Sequence, residues 1–368
     1  MMLKERYLIL NDGSVYQGYG FGYESEAIGE VVFNTSMTGY QEMLTDPSYR
    51  GQILVSTYPM IGNYGIDSNF SESNKVQVKS YVVRDLCDYP FHFSNNKDLN
   101  EFLTENKIPG IHSIDTRSLT RKIRKFGSKM AIMTDNPDLN VALEKINKFG
   151  SYEESNYVDQ VSVKKIENYV AKNSNLNIAL IDFGVKKNII RLLNSRGCNV
   201  EVYPWNFDFA NLDLEKFDGI VMSPGPGDPK TLLNDIKGIK KCIESVPSLG
   251  ICLGHQIIAH IYGGETFKLL FGQRGGNQPV KEINSGRVYP TSQNHGYAVS
   301  DKKFPSEIEI THININDNTV SGLKHKEKPI ISIQYHSEAC PGPIDSEYIF
   351  DNFLELIKGK NWKIRKEY

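Results

Sequence analysis

The chain has few of the features that mark secreted, membrane-bound and nucleic-acid-binding proteins. Its 368 residues include only five cysteines, and none forms a CxxC pair, which argues against structural zinc and a disulfide framework. No apolar run approaches the roughly 20 residues of a membrane helix. The first residues lack the apolar segment of a signal peptide. These absences predict a protein of the reducing cytoplasm with no membrane partner.

Charge and phosphate-binding motifs are also limited. Lys and Arg total 42 and Asp and Glu total 44, so no charge excess suggests a nucleic-acid partner. No P-loop of the GxxxxGK[ST] type occurs, and no His, Cys or Asp spacing predicts a metal site. A length of 368 residues with 39% hydrophobic content is typical of two globular domains.

The N-terminal part of the chain favours β-structure. Asp12 and Gly13 separate two strand-like segments, which is a strong hairpin signal. The polar stretch 151–175 predicts a linker that could carry a short helix. We therefore expect a β-rich α+β domain over residues 1–150. Further strands are predicted at 30–33, 52–57, 76–83 and 130–134, and helices at 98–105 and 116–125.

From residue 176 to 368 the pattern changes to strands that alternate with helices. This alternation predicts an α/β domain with a doubly wound, mostly parallel sheet and helices on both faces. Ligands of such sheets bind beyond the carboxyl ends of the strands. Cys252, residues 225–227 and His336 each follow a predicted strand. They should therefore lie along one edge of the sheet.

Cys252 lies where a predicted strand passes directly into a helix, within the sequence GICLGHQ. A cysteine after an apolar strand is more often a buried small hydrophobe than a nucleophile. Here, however, the strand-to-helix turn should lift the side chain above the sheet, and the dipole of the following helix favours a thiolate. We therefore interpret Cys252 as a nucleophile.

His336 and Glu338 follow the last predicted strand and supply a base and a carboxylate that can orient it. His255 is a competing base because it is near Cys252 in sequence, but its place in the first helical turn should direct the ring away. Residues 225–227 form either a simple tight turn or a loop whose backbone N–H joins that of Leu253 to stabilise an oxyanion. The chemistry predicted is acyl transfer through a thioester.

Together these residues resemble the class I (triad) glutamine amidotransferases. PGPGDP at 224–229, GICLGHQ at 250–256 and the later His-x-Glu are motifs of that family. Residues 33–42, 45–49, 275–277, 293–297 and 341–343 further resemble the small subunit of carbamoyl-phosphate synthetase, so the likeness spans nearly the whole chain. Ser337 and Cys340 depart from the proline and serine usual in the family.

The resemblance implies that Cys252 is the nucleophile, His336 the acid and base, and Glu338 its orienting group. It implies that L-glutamine is held by Ser48, Gly225, Gly227, Leu253, Gln256, Asn294, Gly296 and Tyr297. Since Ser48 belongs to the N-terminal domain, the resemblance also places the site near the domain junction.

The implied activity is hydrolysis of glutamine and transfer of ammonia to a large synthetase subunit, in a heterodimer or higher assembly. That partner would bind ATP and Mg and make carbamoyl phosphate for arginine and pyrimidine synthesis, so no cofactor is expected on this chain. Two alternatives remain open: a glutaminase subunit of another synthase, or a non-catalytic regulatory subunit. The long N-terminal domain disfavours the first, and the intact triad disfavours the second.

Overall fold

The computed structural model describes residues 4–236, 238–302 and 304–359, and the chain divides into two compact units. The first unit comprises the residues up to Ser155 together with Leu270–Gly275, and the second comprises Asn156–Leu269 and the residues from Gly276 onward. Residues 360–368 of the predicted C-terminal domain lie outside the described part. None of the helices in the described ranges is long and apolar enough to cross a bilayer.

A closed barrel of seven strands forms the first unit, in the order β1-β2-β8-β6-β4-β3-β9. Its strands are β1 (Glu5–Leu10), β2 (Val15–Gly22), β3 (Ala27–Asn34), β4 (Gln52–Ser56), β6 (Ser80–Val82), β8 (Pro109–His112) and β9 (Lys129–Thr134). A separate parallel pair is made by β5 (Met60–Ile61) and β7 (Asp85–Leu86). The helices are α1 (Tyr40–Thr45), α2 (Leu99–Glu105), α3 (Thr116–Phe126) and α4 (Leu139–Phe149).

The predicted hairpin is confirmed, because β1 and β2 pair antiparallel around Gly13 at φ 84°. Helix α3 also begins after the expected cap, where the Asp115 carboxylate accepts the Ser118 N–H, and it ends at Gly127. The prediction missed the short elements α1, β5 and β7, and also β8 and α4. Pro109 and Gly110 give β8 little strand propensity, whereas α4 has a clear signal in its N-cap Asp138.

A ten-stranded sheet forms the second unit, in the order β10-β12-β11-β13-β14-β19-β18-β16-β15-β17. The five strands from β12 to β19 in this order are parallel, as predicted. The strands are β10 (Glu167–Tyr169), β11 (Leu176–Asp182), β12 (Cys198–Pro204), β13 (Gly219–Met222), β14 (Ser248–Ile251), β15 (Thr266–Glu282), β16 (Val288–Val299), β17 (Ile308–Asn314), β18 (Val320–His325) and β19 (Ile330–Ile333).

Helices cover both faces of this sheet, which confirms the predicted α/β class. Successive residues of β11 face opposite sides, so Ala179 and Leu180 belong to different apolar cores. Helices α7 and α8 pack on the first of these cores, and α6 and α9 on the second. The helices of this unit are α5 (Val158–Val161), α6 (Lys187–Ser195), α7 (Ile239–Ser245), α8 (Leu253–Ile261) and α9 (Tyr348–Ile357).

The sheet extends well beyond the predicted parallel strands. Strands β15 to β18 add an antiparallel part that the sequence pattern does not predict. β15 contains Gly272, Gly275, Gly276 and Pro279, which weaken strand periodicity. The stretch 151–175, predicted as a linker, carries α5 and the edge strand β10, and Val158 packs in a core of the second unit.

Candidate active site

Cys252 occupies a strained turn between β14 and α8. Its φ of 53° and ψ of −102° lie outside the regions that non-glycine residues normally adopt. Its N–H donates to the Ile333 carbonyl at 2.8 Å, because β14 and β19 pair in parallel with Ile251 opposite Ile333. This pairing brings the end of β14 beside the end of β19, the strand that leads to His336.

Glycines on both sides of Cys252 permit this turn. A Cβ atom added to Gly250 would lie 2.9 Å from the backbone carbonyl of Gly254. A Cβ atom on Gly254 would lie 2.3 Å from the Met222 carbonyl oxygen. Both distances are too short for real contacts, so α8 packs against β13 and β14 only because these side chains are absent.

His336 and Glu338 form a buried pair with 1% and 0% of their side chains exposed. His336 Nδ1 lies 2.6 Å from Glu338 Oε1, and the His336 N–H donates to the Ser292 carbonyl at 2.8 Å. These contacts fix the ring and assign the proton-bearing nitrogen next to the carboxylate. The other nitrogen, Nε2, is buried without a conventional hydrogen-bond partner, which leaves it for Cys252.

For the pKa values of both His336 and Glu338, the effect of charge pairing outweighs the effect of burial. Burial lowers the pKa of His336, but the carboxylate of Glu338 and then the nearby Cys252 side chain raise it to about 10. Burial raises the pKa of Glu338, but His336 and Lys186 lower it to about 2. At neutral pH the pair is therefore imidazolium and carboxylate, with the imidazolium beside the sulfur.

Lys186, just before α6, is buried rather than solvated, with 1% exposure. Its Nζ lies 3.4 Å from Glu338 Oε1 and also donates to the Ala339 carbonyl. From α6 itself, Asn188 Nδ2 donates to the Glu338 carbonyl at 2.6 Å. Residues at the start of α6 therefore hold the Glu338 carboxylate by an ion pair and the backbone of residues 338–339 by hydrogen bonds.

The glycine-rich loop predicted to help bind glutamine follows β13. A Cβ atom on Gly225 would lie 2.2 Å from the Phe183 carbonyl oxygen, and Gly227 has a φ of 93°. The contact at Gly225 shows that the loop passes closely over the residue that follows β11, whereas Gly227 is needed for its left-handed backbone.

We call the strained turn at Cys252, between β14 and α8, the elbow. Helix α8 and strand β16 bring several other predicted glutamine-binding residues to it. Leu253 opens α8, and Gln256 lies one turn later, where its Nε2 donates to the Tyr297 carbonyl at 2.8 Å. The Asn294 carbonyl oxygen lies 4.0 Å from Cys252 Sγ, and Gly296 follows on the same strand. Ser48 lies in the first unit, in the short helical turn Pro47–Tyr49, and its role stays a prediction.

The competing base His255 is held neutral. Its Nδ1 lies 2.9 Å from Ser332 Oγ, and burial lowers its pKa to about 3. A ring that resists protonation is unsuited to carry protons at neutral pH. Within the described ranges, no cluster of three His, Cys, Asp or Glu side chains could hold a metal ion.

Sequence reasoning missed two groups at this site, Asn188 and Gln334. Gln334 Nε2 lies 3.6 Å from Cys252 Sγ. The available signal was a polar residue directly after the apolar run of β19, two positions before His336. A buried amide at that place needs partners, so the pattern already indicated a structural or functional contact.

Two family models match the chain. "Carbamoyl-phosphate synthase small chain, CPSase domain" matches residues 8–133, and "Glutamine amidotransferase class-I" matches residues 179–356. Three curated relatives carry the name carbamoyl phosphate synthase small chain. The relative from Staphylococcus haemolyticus is 48% identical over 97% of both chains. That from Clostridium perfringens is 48% identical over 95% of this chain and 98% of its own. That from Staphylococcus epidermidis is 46% identical over 99% of both. The chain therefore belongs to the carbamoyl phosphate synthase small-chain family and contains a class I glutamine amidotransferase domain.

Proposed function

We propose that this chain hydrolyses L-glutamine to glutamate and ammonia and passes the ammonia to the large chain of a carbamoyl-phosphate synthase. One observation carries the proposal. Cys252 sits on a strained turn beside an imidazolium that is 2.6 Å from a buried carboxylate. Family membership supports glutamine as the substrate, and the geometry supports Cys252 as the nucleophile and His336 as the proton carrier.

The reaction proceeds in two halves. The Cys252 thiolate attacks the carboxamide carbon, and His336 gives its proton to the nitrogen as the C–N bond breaks and ammonia leaves. Neutral His336 then takes a proton from water, which attacks the glutamyl thioester and releases glutamate and the thiolate. Glu338 stays ionised throughout and stabilises the imidazolium.

The oxyanion of each tetrahedral intermediate would accept hydrogen bonds from the backbone of the Gly225 to Gly227 loop and from Leu253. Gln256 Nε2 donates at 2.8 Å to the Tyr297 carbonyl and at 3.1 Å to Gln334 Oε1. Both amide hydrogens are thereby used, so Gln256 would meet the substrate through its oxygen, which suits the α-ammonium group. Asn294, Gly296 and Tyr297 would complete the part of the glutamine site that the second unit supplies.

The partner and the setting follow from the same proposal. Each step above uses side chains of this chain and water, so we propose no cofactor here, with ATP and Mg bound by the large chain. We place the complex, a heterodimer or larger, in the cytoplasm, where five cysteines without a CxxC pair suit a reducing environment. Carbamoyl phosphate would serve arginine and pyrimidine synthesis.

Replacing the nucleophile tests the proposal. Cys252→Ser should abolish carbamoyl phosphate synthesis from glutamine and preserve synthesis from ammonia, because a hydroxyl is far less acidic than a thiol. Both nitrogen sources are assayed with the complex of this chain and its large partner. Cys242→Ser, which changes a buried cysteine of α7, is the matched control and should retain both activities. Equal loss with both nitrogen sources for Cys252→Ser would contradict the proposal.

A further inference from the structure

Gln334 is a buried glutamine that takes no part in the two half-reactions described above. It follows β19, has 1% of its surface exposed, and its N–H donates to the Ser321 carbonyl at 3.0 Å. This backbone bond fixes the residue at the sheet. Its side-chain Nε2 lies 3.6 Å from Cys252 Sγ, a normal separation for an N–H donor and a sulfur acceptor.

The direction of the Gln334 amide follows from its neighbours. The Tyr297 carbonyl oxygen can only accept, so the Gln256 atom 2.8 Å away must be nitrogen. The same nitrogen lies 3.1 Å from the Gln334 side chain and donates to it, so the Gln334 atom at that end must be oxygen. The Gln334 nitrogen therefore points at the sulfur. The Tyr297 carbonyl therefore decides which group donates and which accepts in each hydrogen bond of this series.

Two polar groups outside the triad approach the sulfur, and they act in opposite directions. The Asn294 carbonyl oxygen, 4.0 Å from Sγ, accepts a hydrogen bond from the thiol and so favours the neutral S–H form. The Gln334 amide donates and so favours the thiolate. A donor held rigidly against an anion in a buried site stabilises charge without reorganisation.

We propose that Gln334 is a positioning residue that stabilises the Cys252 thiolate and fixes its direction for attack on the amide. Gln256 orients Gln334, so a residue of the proposed glutamine site is linked to the nucleophile through a single side chain. This inference rests on the proposed glutaminase function for its catalytic meaning. The hydrogen bond to sulfur has a consequence that can be measured without any substrate.

The test uses Gln334→Met, which removes the donor, and Gln334→Glu, which keeps the shape and replaces the donor with a carboxylate. The rate of Cys252 alkylation by iodoacetamide is followed against pH, with peptide mass spectrometry to separate Cys252 from the other four cysteines. Alkylation at neutral pH should fall about tenfold or more in Gln334→Met and further in Gln334→Glu, because hydrogen bonds to charged groups are among the stronger ones. In both variants the profile should move to higher pH.

Glutaminase kinetics on the complex with the large chain provide the second measurement. We expect kcat to fall about tenfold or more in both variants while KM changes little, since Gln334 contacts the nucleophile. Gln52→Met is the matched control. Gln52 is also a buried glutamine, with its Nε2 3.0 Å from Glu30, and its loss should leave the Cys252 profile unchanged.

The outcomes separate this inference from the proposed function. Unchanged alkylation profiles in both Gln334 variants would overturn the inference, whatever the kinetics show. If the wild-type complex failed to hydrolyse glutamine while the profiles shifted, the thiolate contact would stand and the proposed function would fail. Fluorescence of the buried Trp205 verifies folding, and the near-isosteric Gln334→Glu decides the question if Gln334→Met does not fold.

Discussion

In the proposed attacking state, with Cys252 as the thiolate, four buried groups at the site alternate in charge: Lys186, Glu338, His336 and Cys252. Burying charges is costly unless each one is paired. Here the Lys186 ammonium lies 3.4 Å and the His336 imidazole 2.6 Å from one carboxylate oxygen, Glu338 Oε1. With an ionised sulfur the four charges sum to zero, so every charge in the attacking state of the proposed mechanism has a neighbour of opposite sign.

Residue types and spacing predicted most of this cluster but not all its contacts. Cys252, His336 and Glu338 could be named because each follows an apolar strand, and the structure brings them together. From the sequence alone, Lys186 fits a buried partner of the triad and a solvated helix lysine equally well, and its 1% exposure decides for the buried position. For Gln334 the local pattern indicated a buried polar contact but not its partner, because Cys252 lies 82 positions away in the sequence.

Removing the carboxylate should change the protonation of His336. In Glu338→Gln the pKa of His336 should fall from about 10 towards neutrality, because the largest charge that raises it is lost. Glutaminase activity should decrease less than in His336→Ala, which removes the proton carrier itself. Imidazole NMR titration measures the first effect and steady-state kinetics the second. A larger loss in Glu338→Gln than in His336→Ala would contradict these roles.

Lys186→Met should be damaging because it leaves Glu338 with one cation fewer. The pKa of Glu338 should rise, and breaking a buried ion pair typically costs about 3–5 kcal/mol of stability. Chemical denaturation and glutaminase kinetics provide the measurements. Lys187→Met, which changes the adjacent and partly exposed lysine, is the matched control. Equal behaviour of the two variants would show that Lys186 does not support the site.

At the scale of elements, helices and strands were predictable where local periodicity and burial agree. The parallel strands around β11 are short apolar runs between helices, and each is buried on both faces. β15 instead alternates exposed and buried residues irregularly over 17 positions that include several glycines. Its pairing with β17 is long-range, so local sequence does not indicate it.

The elbow before α8 provides a prediction at this scale. Gly254→Ala would place a Cβ atom 2.3 Å from the Met222 carbonyl oxygen, and no rotamer change can relieve a clash with backbone. Helix α8 must shift and carry Cys252 with it. We expect a stability loss of about 1–3 kcal/mol from overpacking and a strong loss of glutaminase activity. Thermal unfolding and kinetics measure the two effects.

Gly263→Ala is the control, since Gly263 follows the same helix in open space at φ 82°. Its left-handed backbone should cost about 1–2 kcal/mol of stability, without moving the elbow. If both glycine variants kept full activity, tight packing of α8 would not be what holds Cys252 in place.

For the whole molecule, the sequence predicted two domains but not the course of the chain between them. The contact division falls between Ser155 and Asn156, and residues 270–275 group with the first unit although the second unit flanks them in sequence. Sequence patterns assign contiguous segments to domains, so they give no local signal that residues 270–275 belong with the first unit. The family matches at 8–133 and 179–356 follow the same two-part order.

Two histidines of the second unit whose pKa values are strongly lowered should make the molecule sensitive to acid. Burial lowers the pKa of His255 to about 3 and of His312 to about 4. In the unfolded chain both rings take up protons near pH 6.5, so the unfolded state binds more protons below that pH and stability falls as pH decreases. Glu338 contributes to stability above about pH 4.5, and this contribution is lost as the pH falls further. The contribution of His336 to stability is fully present below pH 6.5 and is lost as the pH rises towards 10.

The acid sensitivity can be measured through Trp205, which is buried in a core of the second unit. Between pH 6.5 and 5, each neutral histidine should lower the free energy of unfolding by up to about 1.4 kcal/mol per pH unit. His312→Gln removes one of the two, so urea unfolding followed by fluorescence should show a shallower decline in that variant. Burial raises the pKa of Asp182, so this residue adds stability as the pH falls, but it does so equally in the wild type and in His312→Gln. Above pH 7.5 the difference between variant and wild type should be constant, which serves as the internal control. Parallel declines from pH 6.5 to 5 would mean that His312 is not held neutral in the folded protein.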